Sequence, residues 1–276
     1  MIALRITLPA AREDAAVTLL WELGTAGIEV QPAAEGAVSL LSFFPGEETA
    51  CSGLAAQIGK GLPDATIEAA DVPDVDWVAR FRDGFRPFSV GTFRIVPAWD
   101  DCTAADARTL RIDPGRAFGT GTHESTRLCL LLLERLATEG ALGRVLDVGA
   151  GTGILALAAA RLGAALAVAS DIDVDALHSC RQHAALNGAR LPLLRADGGR
   201  AVQPGRFDGL LANLTAPLLI ERAQELGALF TRWAVLAGLL VEEVASVRAA
   251  FAAIDPSPQV EYMGEWAGLR LTKRAS

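Results

Sequence analysis

The chain alternates between two hydrophobic rhythms, and the way they succeed each other divides it into parts. From Ile2 to Leu8 apolar positions recur at every second residue, the period of a half-buried strand. Over 11–25 the spacing becomes helical, through Ala15, Leu19, Leu20 and Leu23. Segments 27–31 and 38–44 read as a hairpin around Glu35-Gly36. A helix over 49–59 and a strand over 66–69 complete a β-α-β-β-α-β order, the ferredoxin-like pattern. Asp71-Val72-Pro73-Asp74 punctuates the chain, and 74–85 reads as a helix that Arg86-Pro87 ends, because the proline ring cannot continue it. Strands are predicted over 92–98 and 108–112, so 71–110 reads as a connector.

Beyond it comes a helix over 127–137, with Ser125 or Thr126 as the expected N-cap. From Arg144 strand and helix take turns: strands over 144–148, 166–170, 191–195, 207–212 and 233–240, helices over 153–162, 173–187, 215–229 and 242–253. Such alternation builds a parallel sheet covered by helices on both faces. The end departs from it, since 259–263 and 267–272 abut as a hairpin that makes the final strand antiparallel. The expected fold is α/β, a doubly wound (Rossmann-like) domain over 111–276 behind an N-terminal α+β ferredoxin-like domain over 1–70.

Charge and composition narrow the partners. The formal net charge is −8, which weighs against direct nucleic-acid binding, since phosphate recognition needs a basic surface. Residues 1–70 hold three basic side chains (Arg5, Arg12, Lys60) against nine acidic ones, so the excess charge concentrates there; it suits a basic protein partner, and the plainer reading is solubility. No apolar run is long enough to cross a bilayer, and the start lacks the features of a signal peptide. A cytoplasmic monomer away from membranes is the expectation. The cysteines (Cys51, Cys102, Cys129, Cys180) show no metal or redox spacing and are expected to be free, and three histidines are too few for a His-based cage, so no metal site is expected.

Three stretches carry the candidate chemistry. In Val145-Leu146-Asp147-Val148-Gly149-Ala150-Gly151-Thr152-Gly153 a buried strand runs into alternating glycines, and a second strand ends at Asp171, where a carboxylate can accept both hydroxyls of a ribose. Shifted by two, Gly151-x-Gly153-x-x-Ala156 also fits a nicotinamide fingerprint with Asp171 at its acidic position. Asp147 at the loop mouth disfavours a pyrophosphate and is tolerated by a sulfonium cofactor with an α-amino group, so a methyltransferase is favoured over a dehydrogenase. The second stretch, Asp113 to Thr126, places Gly119-Thr120-Gly121 beside Phe118 ahead of a helix. Such a loop can cover a bound cofactor, with Phe118 on an apolar face; the plainer reading of Phe118 is core packing. The third, Gly209 to Thr215, puts Asn213 at the carboxyl end of an apolar strand, where ligands bind in open α/β sheets; its plainer role is a helix N-cap.

Together these stretches resemble the PrmA family, bacterial methyltransferases of ribosomal protein L11, the Asp113–Thr126 block most specifically. Asp74-Val75-Asp76-Trp77 with Phe85-Arg86-Pro87 and Pro97-Ala98-Trp99 resembles that family's linker, and Gly264-Glu265-Trp266-Ala267 its closing hairpin. Glu124 stands where the family commonly has proline, and Thr215 where it usually has an aliphatic residue. The resemblance implies a seven-stranded catalytic domain using S-adenosylmethionine, an N-terminal domain that recognises the ribosomal protein, and methylation of lysine side chains and the N-terminal amine. It implies that Phe118, Gly119 and Thr120 contact the cofactor from the covering side and that Gly149, Gly151 and Gly153 pass beneath its methionine part with Asp147 near the amine. Asp171 would hold the ribose, Ile172 would lie against the adenine, and Asn213 would face the methyl. Asn213 and Thr120 are the candidate catalytic residues, and His123 is expected to shape the loop rather than act as a base. The alternatives are a lysine methyltransferase of another protein, a small-molecule methyltransferase, and an NAD(P)-dependent oxidoreductase.

Overall fold

The computed structural model describes residues 2–34, 36–46, 51–70, 86–100, 106–113 and 119–273. The expected helix over 74–85, Phe118 and Cys102 lie outside them. The chain divides into two units, Met1–Asp76 and Trp77–Ser276.

The first unit is a four-stranded antiparallel sheet with two helices. In chain order these are β1 (Ile2–Pro9), α1 (Glu13–Glu22), β2 (Gly27–Gln31), β3 (Ala37–Phe44), α2 (Cys51–Gly61) and β4 (Thr66–Ala70). The strand order β2-β3-β1-β4 is the ferredoxin-like arrangement expected from the sequence. The two-residue period of β1 sends Ile2, Leu4, Ile6 and Leu8 into the core, where Leu20, Leu40 and Ile58 meet them. Arg5 falls on the opposite face and is exposed, in register with Leu41 and Glu68.

The second unit opens with a small sheet, β5 (Phe88–Val90), β6 (Phe93–Pro97) and β7 (Thr109–Ile112). The sequence predicts only the last two. Three residues are too few for a period to show, and β5 exists because it pairs antiparallel with β6 across the turn at Gly91. Val90, Phe93, Ile95, Leu110 and Ile112 belong to the same buried cluster as Leu130 and Leu133 of α3 (Glu124–Glu139). Helix α3 starts earlier than expected. Its N-cap is His123, whose Nδ1 accepts from the Ser125 N–H, while Ser125 and Thr126 are buried inside the first turn.

Then follow β8 (Arg144–Val148), α4 (Ile154–Arg161), β9 (Leu166–Asp171), α5 (Val174–Leu186), β10 (Leu193–Arg195), β11 (Phe207–Asn213), α6 (Ala216–Glu221), α7 (Ala223–Leu229), β12 (Phe230–Leu240), α8 (Val244–Phe251), β13 (Gln259–Met263) and β14 (Trp266–Thr272). The sheet order is β10-β9-β8-β11-β12-β14-β13. Pairing is parallel from β10 to β12, and β14 runs antiparallel between β12 and β13, as the abutting final strands predict. Strand order reverses at β8, so the crevice at its carboxyl end is the natural ligand position. The helix expected over 215–229 is two helices, broken at Arg222, whose side chain turns to Asp197. Neither proline nor glycine marks that break in the sequence. Among the described residues no helix is long and apolar enough to cross a membrane.

Candidate functional site

At the carboxyl ends of β8, β9 and β11 lies a cavity of about 610 Å³, a volume typical of a small-ligand pocket. Gly149, Gly151, Asp171, Ile172 and Asn213, all singled out from the sequence, line it. The glycine loop forms because β8 must turn sharply into α4: Gly149, Gly151 and Gly153 all take positive φ, which a side chain would strain. Gly153 has a second reason to be glycine, since a Cβ there would come within 2.8 Å of Cys180 Sγ. The Gly149 and Ala150 N–H groups donate to the Ser170 carbonyl at 2.9 and 3.0 Å, fastening the loop to the end of β9.

Asp171 is the hinge of the arrangement. One oxygen accepts from the Gly151 N–H at 2.9 Å and the other from the Asp173 N–H at 3.0 Å. Each oxygen retains a lone pair for a further donor. The next residue, Ile172, is 60% exposed and lines the cavity with an apolar surface. Around this end the lining is acidic: Asp113, Asp171, Asp173, Asp175 and Asp197 against Arg222 as the one lining lysine or arginine among the described residues. Arg222 is already paired, its Nη2 standing 2.6 Å from Asp197. Such a lining favours a cationic ligand and repels a pyrophosphate.

Asp147 does not reach the cavity wall. Its side chain is buried (1% exposed), and one oxygen accepts from the Ala156 N–H at 3.0 Å, bracing the first turn of α4. The other oxygen has no hydrogen-bond partner among the described residues. Burial pushes this carboxyl up to about 7; the Ala156 N–H opposes the rise, and the charge of Asp171 adds to it. Burial also raises the Cys180 thiol, to about 12, and Cys129 beyond that, so both are inert packing groups.

Asn213 is not a helix N-cap; Thr215 holds that position before α6. The Asn213 carboxamide instead donates through Nδ2 to the Thr126 hydroxyl at 3.2 Å, and its buried Oδ1 has no partner among the described residues. The hydroxyl brought to Asn213 is therefore that of Thr126. The hydroxyl of Thr120, the sequence candidate, is hydrogen-bonded to that of Thr122 at 2.9 Å. The Gly119 carbonyl accepts from the Thr152 hydroxyl, which ties the segment following Phe118 to the glycine loop. His123 caps α3 and stands edge-on to Trp266 with ring centroids 4.4 Å apart, a shaping role.

Sequence reasoning missed a clamp on α5. His183 is 1% exposed; its Nε2 accepts from the Asp113 N–H at 2.9 Å and its Nδ1 lies 3.0 Å from the Thr152 carbonyl. The neutral ring with its proton on Nδ1 serves both partners, and Nε2 also stands 3.2 Å from the Asp113 carbonyl, to which a protonated ring can donate. Burial lowers the His183 pKa, against the raising effect of its bonds to Thr152 and Asp113. One turn on, Asn187 accepts from the Arg111 N–H at 2.9 Å and donates to the Arg111 carbonyl at 2.7 Å. The pair stitches the end of β7 to α5 and the glycine loop. Its only trace in the sequence is two polar residues at i, i+4 spacing on a helix.

A family model described as ribosomal protein L11 methyltransferase (PrmA) matches residues 2–274. The chain is 37% identical over 261 residues to a ribosomal protein L11 methyltransferase of Geobacter sulfurreducens, covering 90% of this chain and 82% of that protein. It is 40% identical over 247 residues to one of Pseudomonas aeruginosa, covering 86% and 81%. Among solved structures it is similar to a ribosomal protein L11 methylase of Lactobacillus delbrueckii subsp. bulgaricus, with 29% identity and a TM-score of 0.61 over 69% of this chain and all of that one.

Proposed function

This chain belongs to the PrmA family of ribosomal protein L11 methyltransferases, and from that premise we propose that it transfers methyl groups to the amines of ribosomal protein L11 at the cavity beside Asn213. It is an S-adenosylmethionine-dependent protein methyltransferase. The observation that carries the reading of the site is the acidic, apolar-floored lining from Asp171 to Asp197. A positively charged nucleoside fits it, whereas a nicotinamide dinucleotide would bring its pyrophosphate against those carboxylates.

When bound, the cofactor supplies a methyl group on a sulfonium centre. In this reading Asp171 would hold the ribose hydroxyls with the lone pairs that it leaves unused, Ile172 would lie against the adenine, and Gly149 and Gly151 would support the methionine part. Gly119 and Thr120 would contact the cofactor from the covering side. Asp147 would act only indirectly, from beneath the loop, through the first turn of α4 that it braces.

Displacement at carbon needs the amine neutral and in line. A lysine starts near pKa 10.4, so losing its proton at pH 7 costs about 4–5 kcal/mol. A carboxylate beside the amine would increase that cost by holding the ammonium. Asn213 is uncharged, and its carboxamide oxygen, without a partner among the described residues, would accept one amine N–H without retaining the extra proton. Desolvation beside the buried Thr126 lowers the cost further. The chain's residues thus align and dehydrate the amine.

The net acidic first unit holds the basic substrate protein. The test is incubation with isotopically labelled S-adenosylmethionine and unmethylated L11, with the label mapped by mass spectrometry. Label on lysine and N-terminal amines is expected. Label absent from L11 but present on another protein or a small molecule would reassign the substrate.

A further inference from the structure

Strand β12 is interrupted where it passes Asn213. Its pairing with β14 runs in register from Trp233 against Thr272 to Ala237 against Gly268, slips, and resumes with Leu239 against Ala267. The residue left over is Gly238, with φ +87°. On the other side β12 holds β11 through the pair Asn213 and Ala237, and the Leu214 N–H donates to the Ala237 carbonyl at 3.0 Å. The bulge therefore sits beside the carboxamide. A bulge of this kind re-aims what lies next to it.

The space it leaves is measurable. A Cβ at position 238 would stand 2.5 Å from the Leu214 carbonyl oxygen and 2.9 Å from Asn213 Oδ1. Ordinary contact begins at 3.4 Å, so the two neighbours would have to retreat by roughly 0.9 and 0.5 Å. One of them is backbone and cannot swing aside. The Asn213 side chain is thus clasped, Nδ2 against Thr126 and Oδ1 in the notch that a missing side chain creates. Glycine inside a strand forfeits packing and backbone entropy, and here it permits this close approach.

We propose that Gly238 is a positioning residue for methyl transfer: the notch that its bulge leaves in β12 sets the Asn213 carboxamide against the reacting amine. It rests on the reading of Asn213 given above. A carboxamide displaced by roughly half an ångström, on a strand end whose Leu214 carbonyl must also retreat, aligns the amine poorly, an error worth on the order of tenfold in rate.

The test compares wild type, Gly238→Ala, Asn213→Ala and the double variant. Readouts are kcat on L11, calorimetric affinity for S-adenosylhomocysteine, and the Asn213 side-chain amide signal in ¹⁵N–¹H spectra. Gly238→Ala is expected to lose about tenfold or more in kcat, to shift the Asn213 amide signal, and to change S-adenosylhomocysteine affinity less than about threefold. In the Asn213→Ala background the same substitution should cost less than about twofold, because residues that act through one another are not additive. Full kcat in a folded Gly238→Ala, an unmoved amide signal, or multiplicative losses in the double variant would overturn the proposal. Should Gly238→Ala fail to fold, Thr126→Val opens the other side of the clasp, and full kcat there would overturn it equally. A wild type that binds no S-adenosylhomocysteine would instead defeat the functional reading, before any variant is compared.

Discussion

Replacing Asp147 by asparagine should make the protein more stable at mildly alkaline pH. The carboxyl is wholly buried under the glycine loop and holds its proton to about pH 7, against 3.8 for the ordinary group. Between those values the folded protein binds more protons than the unfolded chain, so stability falls as pH rises through the window and levels off above it. A gap of about three pKa units corresponds to a loss of about 4 kcal/mol between pH 4 and pH 8. Asparagine keeps the acceptor for the Ala156 N–H and cannot ionise. Its NH₂ group lacks a partner where the protonated acid's O–H does too, so that penalty is common to both. Urea unfolding followed by near-ultraviolet circular dichroism should give equal stability for the two proteins near pH 4. The variant should then lead by a few kcal/mol at pH 8. A variant less stable than wild type at pH 8, or a gap that ignores pH, would refute the reasoning and show that the charged carboxylate has a favourable partner.

Two further outcomes follow from the same physics. His183→Phe keeps the ring but strands the Asp113 N–H and the Thr152 carbonyl, so urea unfolding should register a loss of about 2–4 kcal/mol. The wild type, whose lowered His183 pKa makes it lose stability as pH falls below 6.5, should show that acid slope while the variant lacks it; a loss under about 1 kcal/mol would mean the clamp is dispensable. Reversing Glu29 and Glu68, which share a face of the first unit's sheet with Arg5, should raise KM for L11 several-fold at low salt and leave kcat alone. An unchanged KM would place substrate recognition elsewhere.

The parts legible in the sequence are those written in local periods. The alternation after Arg144 yields the parallel sheet, and the abutting strands at 259–272 yield its antiparallel edge. The glycines and Asp171 are legible because a βα turn at a switch point demands small residues followed by an acid. What stays hidden is made by distant partners. Thr126 meets Asn213 across 87 positions, and His183 meets Asp113 across 70, so no window along the chain contains both members. Thr120 and Asp147 were singled out by motif position, yet neither lines the cavity, since a motif gives order along the chain and not the direction of a side chain. The helix break at Arg222, where the side chain pairs with distant Asp197, is likewise announced by no helix propensity.

The central claim is that a sulfonium nucleoside occupies the acidic cavity under the control of Asp171. Isothermal titration of the full chain with S-adenosylhomocysteine, of its Asp171→Ala variant with the same ligand, and of wild type with NADH addresses it directly. One S-adenosylhomocysteine is expected to bind per chain, at least about tenfold more weakly in the variant, with no heat from NADH. Binding of NADH, or affinity for S-adenosylhomocysteine untouched by loss of Asp171, would contradict it.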